Sequence, residues 1–248
     1  MSITLSKKRP KQASSLIINN STNLTAIGAV HINIPFLVNH VDFFTSSFRL
    51  VLDNKVIYID PVITAETHEA DYILITHVHQ DHFCIDTIKK LVTNNTVIIT
   101  PQKAYKKLVK KMSNTKILCT EPGKLFSFGS ITIKSVAAYN NKSHLLTAHK
   151  KSHKYVGYVI SFADFSLYHA GDTDLISEIT ELNNITVALV PIDGGKLTMS
   201  TAQAAELVNL LKPKYAVPMH YNLGTEQLQV FKDLINKSIK VSTLDGQS

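Results

Sequence analysis

Short apolar runs separated by tight turns fill the first half of the chain and indicate β-strands. Residues 48–52 and 55–59 are two such runs, and Asp53-Asn54 between them is typical of a hairpin turn. Later in the chain, predicted strands alternate with predicted helices. Because the early strands form hairpins, a purely parallel α/β sheet fits less well than two packed sheets. The order predicts an α+β fold, a four-layered αββα sandwich.

Hydrophobic periodicity and turn residues also predict the remaining elements and the domain limits. The predicted strands are 72–75, 96–100, 116–119, 125–128, 131–136, 155–161, 166–169, 187–190 and 215–218, and the predicted helices are 86–93, 102–111, 201–211 and 226–235. Residues 1–28, rich in Lys, Ser and Asn, predict a loosely ordered N-terminal extension. Residues 29–248 are long enough for one large domain.

Composition narrows the class of protein further. No apolar run approaches the roughly 20 residues that span a bilayer, and the polar, basic start does not read as a signal peptide. The two cysteines, Cys84 and Cys119, are too few for a disulfide framework. These features predict a cytoplasmic protein.

The formal net charge is +7, and part of it lies in the Lys-rich stretches 103–116 and 142–154. Solvated surfaces are the ordinary explanation, and attraction of an anionic small-molecule substrate is the alternative. No aromatic ladder interleaves the lysines, so nucleic acid is not expected as a partner. A homo-oligomer is left open.

The pattern His77-x-His79-x-Asp81-His82 directly follows the predicted strand 72–75. Residues two apart in an extended segment point the same way, so His77 and His79 can bind one cation from one side. Where the chain turns, Asp81 and His82 can face a second cation or a bound water. Imidazole and carboxylate ligands suit Zn²⁺, Fe or Mn²⁺. A polar loop with solvated histidines is the alternative.

Two other strand ends carry side chains of the same chemistry. Gly171 allows a tight turn, so Asp172 can project from the end of a strand and bridge two metals, and His220 follows the predicted strand 215–218. His169 or Lys196 can help to bind an anionic group, although His169 can equally support the Asp172 loop. Each signal is weak alone, but three strand ends together indicate a metal site.

These motifs resemble, in the same order, those of the metallo-β-lactamase superfamily. Further segments look like the metal-dependent hydrolase branch near the ascorbate-6-phosphate lactonases, and these are Ile59-Asp60-Pro61, Ala138-Tyr139-Asn140, Gly157-Tyr158-Val159, Tyr168 to Asp174 and Pro218-Met219-His220-Tyr221. The resemblance covers about residues 45–222 and implies one or two metal ions per chain, with Zn²⁺ expected first and Fe or Mn²⁺ as alternatives.

The resemblance also implies roles for individual residues. His77 and His79 would bind the first metal, and Asp81, His82 and His220 the second, while Asp172 would bridge the two. Asp81 would also take a proton from the attacking water. Asp60 would organise the metal loop, a supporting role that commonly orients metal ligands. Asn140 and His169 would likewise support the ligands or contact the substrate.

The sequence departs from the family pattern in two places. The third ligand of the first metal is usually a further His, and Asn140 stands near its place; the downstream candidates are His144, His149 and His153, of which we favour His149, eight residues before Gly157. The other departure is Phe44-Thr45-Ser46-Ser47-Phe48, where relatives often carry a Gly-His-Ser-Ser-Phe-like motif.

The expected function follows from these ligands. A divalent metal lowers the pKa of bound water from about 15.7 to about 7. We therefore expect a metal-dependent hydrolase that uses a metal-bound hydroxide on a small ester, lactone or phosphoester. The alternatives are a phosphodiesterase or nuclease of the same fold, and a non-catalytic metal-binding protein with a decayed site.

Overall fold

The computed structural model describes residues 2–5, 14–33, 41–62, 68–141, 148–194 and 197–246. The chain divides into two compact units, one of residues 1–119 with 243–248 and one of residues 120–242. Among the helices described, none has the length and apolar character needed to cross a bilayer.

The first unit contains the following elements: β1 (Ser2–Leu5), β2 (Ser15–Asn19), β3 (Thr22–Ala26), β4 (Ala29–Asn33), β5 (Val41–Phe44), β6 (Phe48–Leu52), β7 (Lys55–Ile59), β8 (Tyr72–Leu74), α1 (Ile85–Leu91), β9 (Val97–Pro101), α2 (Gln102–Val109) and β10 (Lys116–Thr120). Seven strands form one sheet in the order β10-β9-β8-β7-β6-β3-β2. Strands β1, β4 and β5 form antiparallel pairs apart from it.

The predicted hairpin is present as the antiparallel pair β6–β7. Its turn residues Asp53 and Asn54 both have positive φ, 50° and 59°, as a two-residue type I′ turn requires. Strands β7, β8 and β9 are parallel neighbours, so their carboxyl ends meet at one edge of the sheet. Asp60 follows β7 at this edge, and His77 lies shortly beyond β8.

The N-terminal segment contains two strands that are not among the predicted elements. Residues 15–19 and 22–26 are strands β2 and β3, and β3 pairs with β6 from Thr22 to Ala26. Residues 6–13 lie outside the described part, and the domain limit at residue 28 remains a prediction. Among the described strands, β2 is an edge strand that pairs only with β3, and the other partner of β3, β6, lies more than twenty residues away, whereas turn signals report only local pairing.

Helices α1 and α2 stabilise the first sheet by covering apolar side chains. Ile88 and Leu91 of α1 and Ala104 and Leu108 of α2 are fully buried, in one cluster with sheet residues such as Ile98. Burial of a Leu or Ile side chain contributes roughly 1.5–3 kcal/mol. This packing fixes β8 and β9, and with them the start of the histidine segment.

The second unit contains the following elements: β11 (Leu125–Phe128), β12 (Ile131–Ala137), a 3₁₀ turn (Lys151–His153), β13 (Val156–Phe162), β14 (Phe165–His169), α3 (Ser177–Thr180), β15 (Val187–Pro191), α4 (Thr201–Leu211), β16 (Tyr215–Met219), β17 (Tyr221–Asn222), α5 (Gln227–Leu234) and β18 (Lys240–Val241). Its sheet has the order β11-β12-β13-β14-β15-β16-β18. Helix α4 packs on β15 and α5, and its N-cap residue Ser200 forms a capping box with Gln203.

The second sheet changes from antiparallel to parallel pairing at β14. Strands β14, β15 and β16 are parallel, with His169 opposite Leu189 and Pro191 opposite Met219. Their carboxyl ends therefore lie at one edge of this sheet. Asp172 follows β14 and His220 follows β16 at that edge.

Gly157 in β13 leaves no room for a side chain. A Cβ atom there would lie 2.5 Å from the His169 carbonyl oxygen and 2.6 Å from that of Ala170. Gly157→Ala is therefore expected to lower the free energy of unfolding by about 3 kcal/mol, since rigid backbone would have to move. Urea denaturation checks this value.

Gly224→Ala is the matched control for that measurement. Gly224 has φ +78° and open space around its Cβ position, so only backbone strain of about 1–2 kcal/mol is expected. A loss at Gly157 no larger than the loss at Gly224 would show that the close approach of the β14 end is not a constraint.

Candidate metal centre

The histidine segment of the first unit folds into a compact cluster beyond β8. The His79 carbonyl accepts hydrogen bonds from the backbone N–H groups of His82 and Phe83, at 3.1 and 2.9 Å, and this tight turn brings His82 back beside His77. The ring centroid of His77 lies 4.0 Å from that of His82 and 4.6 Å from that of His79. Three imidazoles from six residues of sequence thus share one place, with His77 and His82 buried.

Asp60 anchors this cluster through hydrogen bonds to Thr76 and His82. It is fully buried with φ +46°, and its Oδ1 accepts the Thr76 backbone N–H at 2.7 Å. Its Oδ2 accepts the Thr76 hydroxyl at 2.5 Å and His82 Nδ1 at 2.7 Å. The Ser47 hydroxyl donates to the Asp60 carbonyl at 2.5 Å, so the segment that lacks the family histidine still supports this aspartate.

These hydrogen bonds set which ring nitrogen carries the proton. His82 Nδ1 faces a carboxylate oxygen and must donate. The Thr76 hydroxyl donates its single proton in the hydrogen bond to Asp60 Oδ2. It can therefore only accept from His77 Nδ1, which lies 2.9 Å away. Each Nε2 is then a lone pair, the state in which histidine binds metals.

Asp81 and His82 offer a second set of ligand atoms in the same unit. Asp81 Oδ2 lies 3.6 Å from His82 Nε2, and the Asp81 side chain is 21% exposed. One ligand atom each from Asp60, His77 and His82 also lies within 4.8 Å of the others. The donor chemistry of this cluster, imidazole with carboxylate, fits a divalent transition metal.

The second unit contains a matching cluster around Asp172. Gly171, with φ +64°, turns the chain after β14 so that the Asp172 side chain is buried beside two histidines. Asp172 Oδ2 lies 3.4 Å from His149 Nε2 and 3.3 Å from His220 Nε2. His220 itself has φ +54° directly after β16.

Asn140 fixes the proton of His149. Its Nδ2 donates to the Leu197 carbonyl at 2.8 Å and to Asp174 Oδ1 at 3.1 Å, so its Oδ1 faces His149. That oxygen accepts from His149 Nδ1 at 3.0 Å. His149 Nε2 is then a lone pair facing the Asp172 carboxylate. The His149 Nε2 lone pair and the Asp172 carboxylate cannot hydrogen-bond each other directly, so a cation between them would suit both.

The remaining candidates occupy other places. His169 Nδ1 accepts the Gly171 N–H at 3.2 Å, so this side chain supports the turn that carries Asp172. His153 packs against Tyr155 at 5.1 Å, and within the described residues it joins no group of metal-ligand atoms. His144 and Lys196 lie outside the described residues.

Sequence reasoning missed the supporting role of Thr76. Thr76 stands directly before His77, but only its hydroxyl contacts show that it links His77 to Asp60. Asn140 is both a candidate ligand and a candidate supporting residue in the sequence analysis, and here its Oδ1 accepts from His149 Nδ1. Neither Cys84 nor Cys119 forms a disulfide within the described residues, and Cys84 is half-buried with its sulfur accepting from the Thr87 hydroxyl.

Comparisons with known proteins identify the family to which the chain belongs. Residues 42–220 match the family model of the Beta-lactamase superfamily domain. A UPF0173 metal-dependent hydrolase from Bacillus thuringiensis is 34% identical over 192 residues, 71% of this chain and 82% of its own. A UPF0173 metal-dependent hydrolase from Thermococcus kodakarensis is 31% identical over 219 residues, 82% of this chain and 95% of its own.

Solved structures show the same fold. A metal-dependent hydrolase from Parabacteroides distasonis aligns with a TM-score of 0.71 and 28% identity, covering 95% of this chain and 99% of its own. Igni18, a metallo hydrolase from Ignicoccus hospitalis, aligns with a TM-score of 0.65 and 26% identity, covering 82% and 93%.

The family match and the fold define a protein of the metallo-β-lactamase class. Within that superfamily, the chain belongs to the UPF0173 metal-dependent hydrolases. The predicted superfamily, the α+β metallo-β-lactamase fold and the enzyme class are thereby confirmed. The lactonase-like branch, the substrate, the metal and the ligand assignments remain predictions.

Proposed function

We propose that this chain binds one or two divalent cations and uses them to hydrolyse a small ester, lactone or phosphoester. The observation that supports the proposal is that three histidines have the same hydrogen-bonding arrangement. His77, His82 and His149 each commit Nδ1 to a fixed acceptor, through Thr76, Asp60 and Asn140, and so present Nε2 as a lone pair. A structural histidine needs no such uniform choice of tautomer, but a metal ligand does.

The family resemblance assigns ligands from both units to the cations. The proposed ligands are His77, His79 and His149 for the first cation, Asp81, His82 and His220 for the second, and Asp172 for both. Zn²⁺ is the expected cation for this donor set, and Fe or Mn²⁺ are the alternatives. A divalent cation would supply a water of pKa near 7 and stabilise negative charge developing on the substrate.

The chain's own groups then share the remaining work. Asp81 is the carboxylate of the histidine segment with exposed surface, so it is placed to accept a proton from the attacking water. Asp60 and Asn140 hold His82 and His149 in the orientation that binding requires. The net charge of +7 favours an anionic substrate. The cytoplasm stays the predicted location, since two cysteines are too few for a disulfide framework.

A substrate screen tests the proposed reaction. Protein supplied with Zn²⁺, Mn²⁺ or Fe²⁺ is assayed on p-nitrophenyl esters, lactones and bis-p-nitrophenyl phosphate. Hydrolysis of an ester or lactone supports the proposal, and activity on the phosphodiester alone indicates the phosphodiesterase alternative. Silence on all three classes in metal-loaded protein would contradict the proposed substrate range.

His149→Ala and His153→Ala separate the candidates for the third ligand. His149→Ala is expected to weaken metal binding by about 10- to 100-fold, because its Nε2 faces Asp172. His153→Ala is expected to leave metal affinity unchanged, since that ring packs on Tyr155. Titration with a competing chelator measures both, and the reverse ranking would move the ligand to His153.

A further inference from the structure

A cleft of about 540 Å³ lies in the second unit, apart from the proposed metal ligands. Its wall is formed by β12, by the turn before β11, by the 3₁₀ turn and the residues directly after it, and by α3 with Leu182. The volume falls in the range of roughly 300–1,000 Å³ that small-molecule sites occupy. None of the metal ligands proposed above lines it.

The inner surface of the cleft is largely apolar. Pro122, Val136 and Leu182 contribute aliphatic surface, and the buried rings of Tyr139 and Tyr155 lie beside them. Flat apolar molecules gain most from such a surface, because aromatic side chains offer large contact areas at low entropic cost.

Charged side chains surround this apolar surface and leave one positive charge in excess. Three lysines and two glutamates line the cleft, namely Lys134, Lys151, Lys154, Glu121 and Glu178. Lys151 Nζ lies 2.9 Å from Glu178 and donates to the Tyr139 hydroxyl at 3.1 Å, and Lys154 pairs with Glu121 at 2.5 Å. Lys134 makes no ion pair within the part of the chain described here.

The Lys151–Glu178 pair also fixes the charge state of the cleft. Lys151, as the first cause, lowers the pKa of Glu178 to about 2, so this carboxylate stays ionised at neutral pH. The uncompensated charge therefore remains close to +1. A ligand with one negative charge would neutralise it.

Tyr139 connects the cleft to the residues around Asp172 and His149. Its backbone N–H donates to the Thr173 hydroxyl at 3.1 Å, and its carbonyl accepts the Asp174 N–H at 2.9 Å. The next residue, Asn140, holds His149. A molecule that packs on the Tyr139 ring would therefore restrain two segments, the one that follows Asp172 and the one that holds His149.

We propose that this cleft is an effector site for a small, largely apolar monoanion, such as an aromatic sulfonate or carboxylate, whose binding tightens the hold of His149 on its cation. The effect on the cation rests on the proposed function, whereas binding in the cleft does not. The two parts are therefore measured separately.

Titration of the purified protein with 8-anilinonaphthalene-1-sulfonate, followed by fluorescence, tests binding. Lys151→Ala and Lys134→Ala are each expected to raise Kd by about three- to tenfold, and Glu178→Gln to lower it by about threefold, because single charges at partly exposed sites act on this scale. Lys110→Ala, which removes an exposed lysine of the first unit, is the matched control and should leave Kd unchanged.

The opposite signs make the binding test decisive. Lys134→Ala leaves the contacts among Lys151, Glu178 and Tyr139 intact. The Kd of this variant therefore tests the site even if Lys151→Ala disturbs folding. Equal Kd values in all four variants, or no binding at all, would overturn the site.

Release of Zn²⁺ to a chromophoric chelator tests the coupling. Saturating probe is expected to slow release by about fivefold in wild-type protein, a coupling of ordinary size, and Lys134→Ala should need more probe for the same effect. Probe that binds without slowing release would overturn the effector role. Protein that binds no Zn²⁺ but still binds probe with the expected charge dependence would overturn the proposed function and leave the cleft as a binding site.

Discussion

Asp172→Asn is expected to remove metal binding and to lower hydrolytic activity by about 10³-fold, which corresponds to about 4 kcal/mol of transition-state stabilisation. The Asp172 carboxylate is buried, with one oxygen 3.4 Å from His149 Nε2 and 3.3 Å from His220 Nε2. Asparagine keeps the size of the side chain but removes the charge. Its amide N–H can donate to a histidine lone pair, so the fold is expected to survive without the cation.

Elemental analysis and a kinetic assay on the same preparation measure this effect. Asp164→Asn is the matched control, because Asp164 lies exposed in the turn between β13 and β14. The control should keep both metal and activity. An Asp172→Asn protein with full metal content and activity within about threefold of wild type would exclude Asp172 as a ligand.

Asp60→Ala is expected to lower the free energy of unfolding by about 3–5 kcal/mol and to weaken metal binding as well. The change leaves the Thr76 backbone N–H, the Thr76 hydroxyl and His82 Nδ1 without their acceptor in a fully buried place. Each buried donor left unsatisfied costs about 1–3 kcal/mol, and breaking a buried ionic network costs about 3–5 kcal/mol.

Asp60→Asn separates the two consequences. Asparagine tolerates the φ of +46° at this position, so the backbone strain stays small. Its amide nitrogen cannot accept a hydrogen bond, so the Thr76 N–H loses its acceptor if the nitrogen replaces Oδ1, and two donors lose theirs if it replaces Oδ2. Stability should fall by about 1–3 kcal/mol, and metal affinity by about 10- to 100-fold, as is usual when the partner of a ligand histidine is changed.

Urea denaturation and chelator competition measure stability and affinity for both variants. Asp71→Ala is the control, since Asp71 is partly exposed and accepts from Lys55 Nζ and the Val56 N–H. That change should cost only about 1 kcal/mol. A loss in Asp60→Ala no larger than the loss in Asp71→Ala would show that Asp60 does not organise the histidine segment.

The elements with strong local signals could be predicted from the sequence. The hairpin of 48–52 and 55–59 follows from Asp53-Asn54, because a two-residue turn needs positive φ at both positions. Helix α4 has its predicted bounds because Ser200 and Gln203 form a capping box. The histidine segment was equally visible, since its candidate ligands lie within six residues.

The elements and contacts that depend on distant partners could not be predicted in this way. Strands β2 and β3 were missed because β3 depends on pairing with β6, and short polar strands carry little local pattern. The role of Asn140 depends on Leu197 and Asp174, which turn its amide toward His149. Spacing from Gly157 indicated His149, but only these contacts show how its proton is placed.

Metal content tests the central claim most directly. Protein purified without chelators and reconstituted with Zn²⁺, Fe²⁺ or Mn²⁺ is expected to retain roughly one or two ions per chain. His77→Ala should reduce that number, because its Nε2 is held as a lone pair by the link through Thr76 to Asp60. Wild-type protein that retains no metal after reconstitution, with a His77→Ala variant that is unchanged in every property, would contradict the claim.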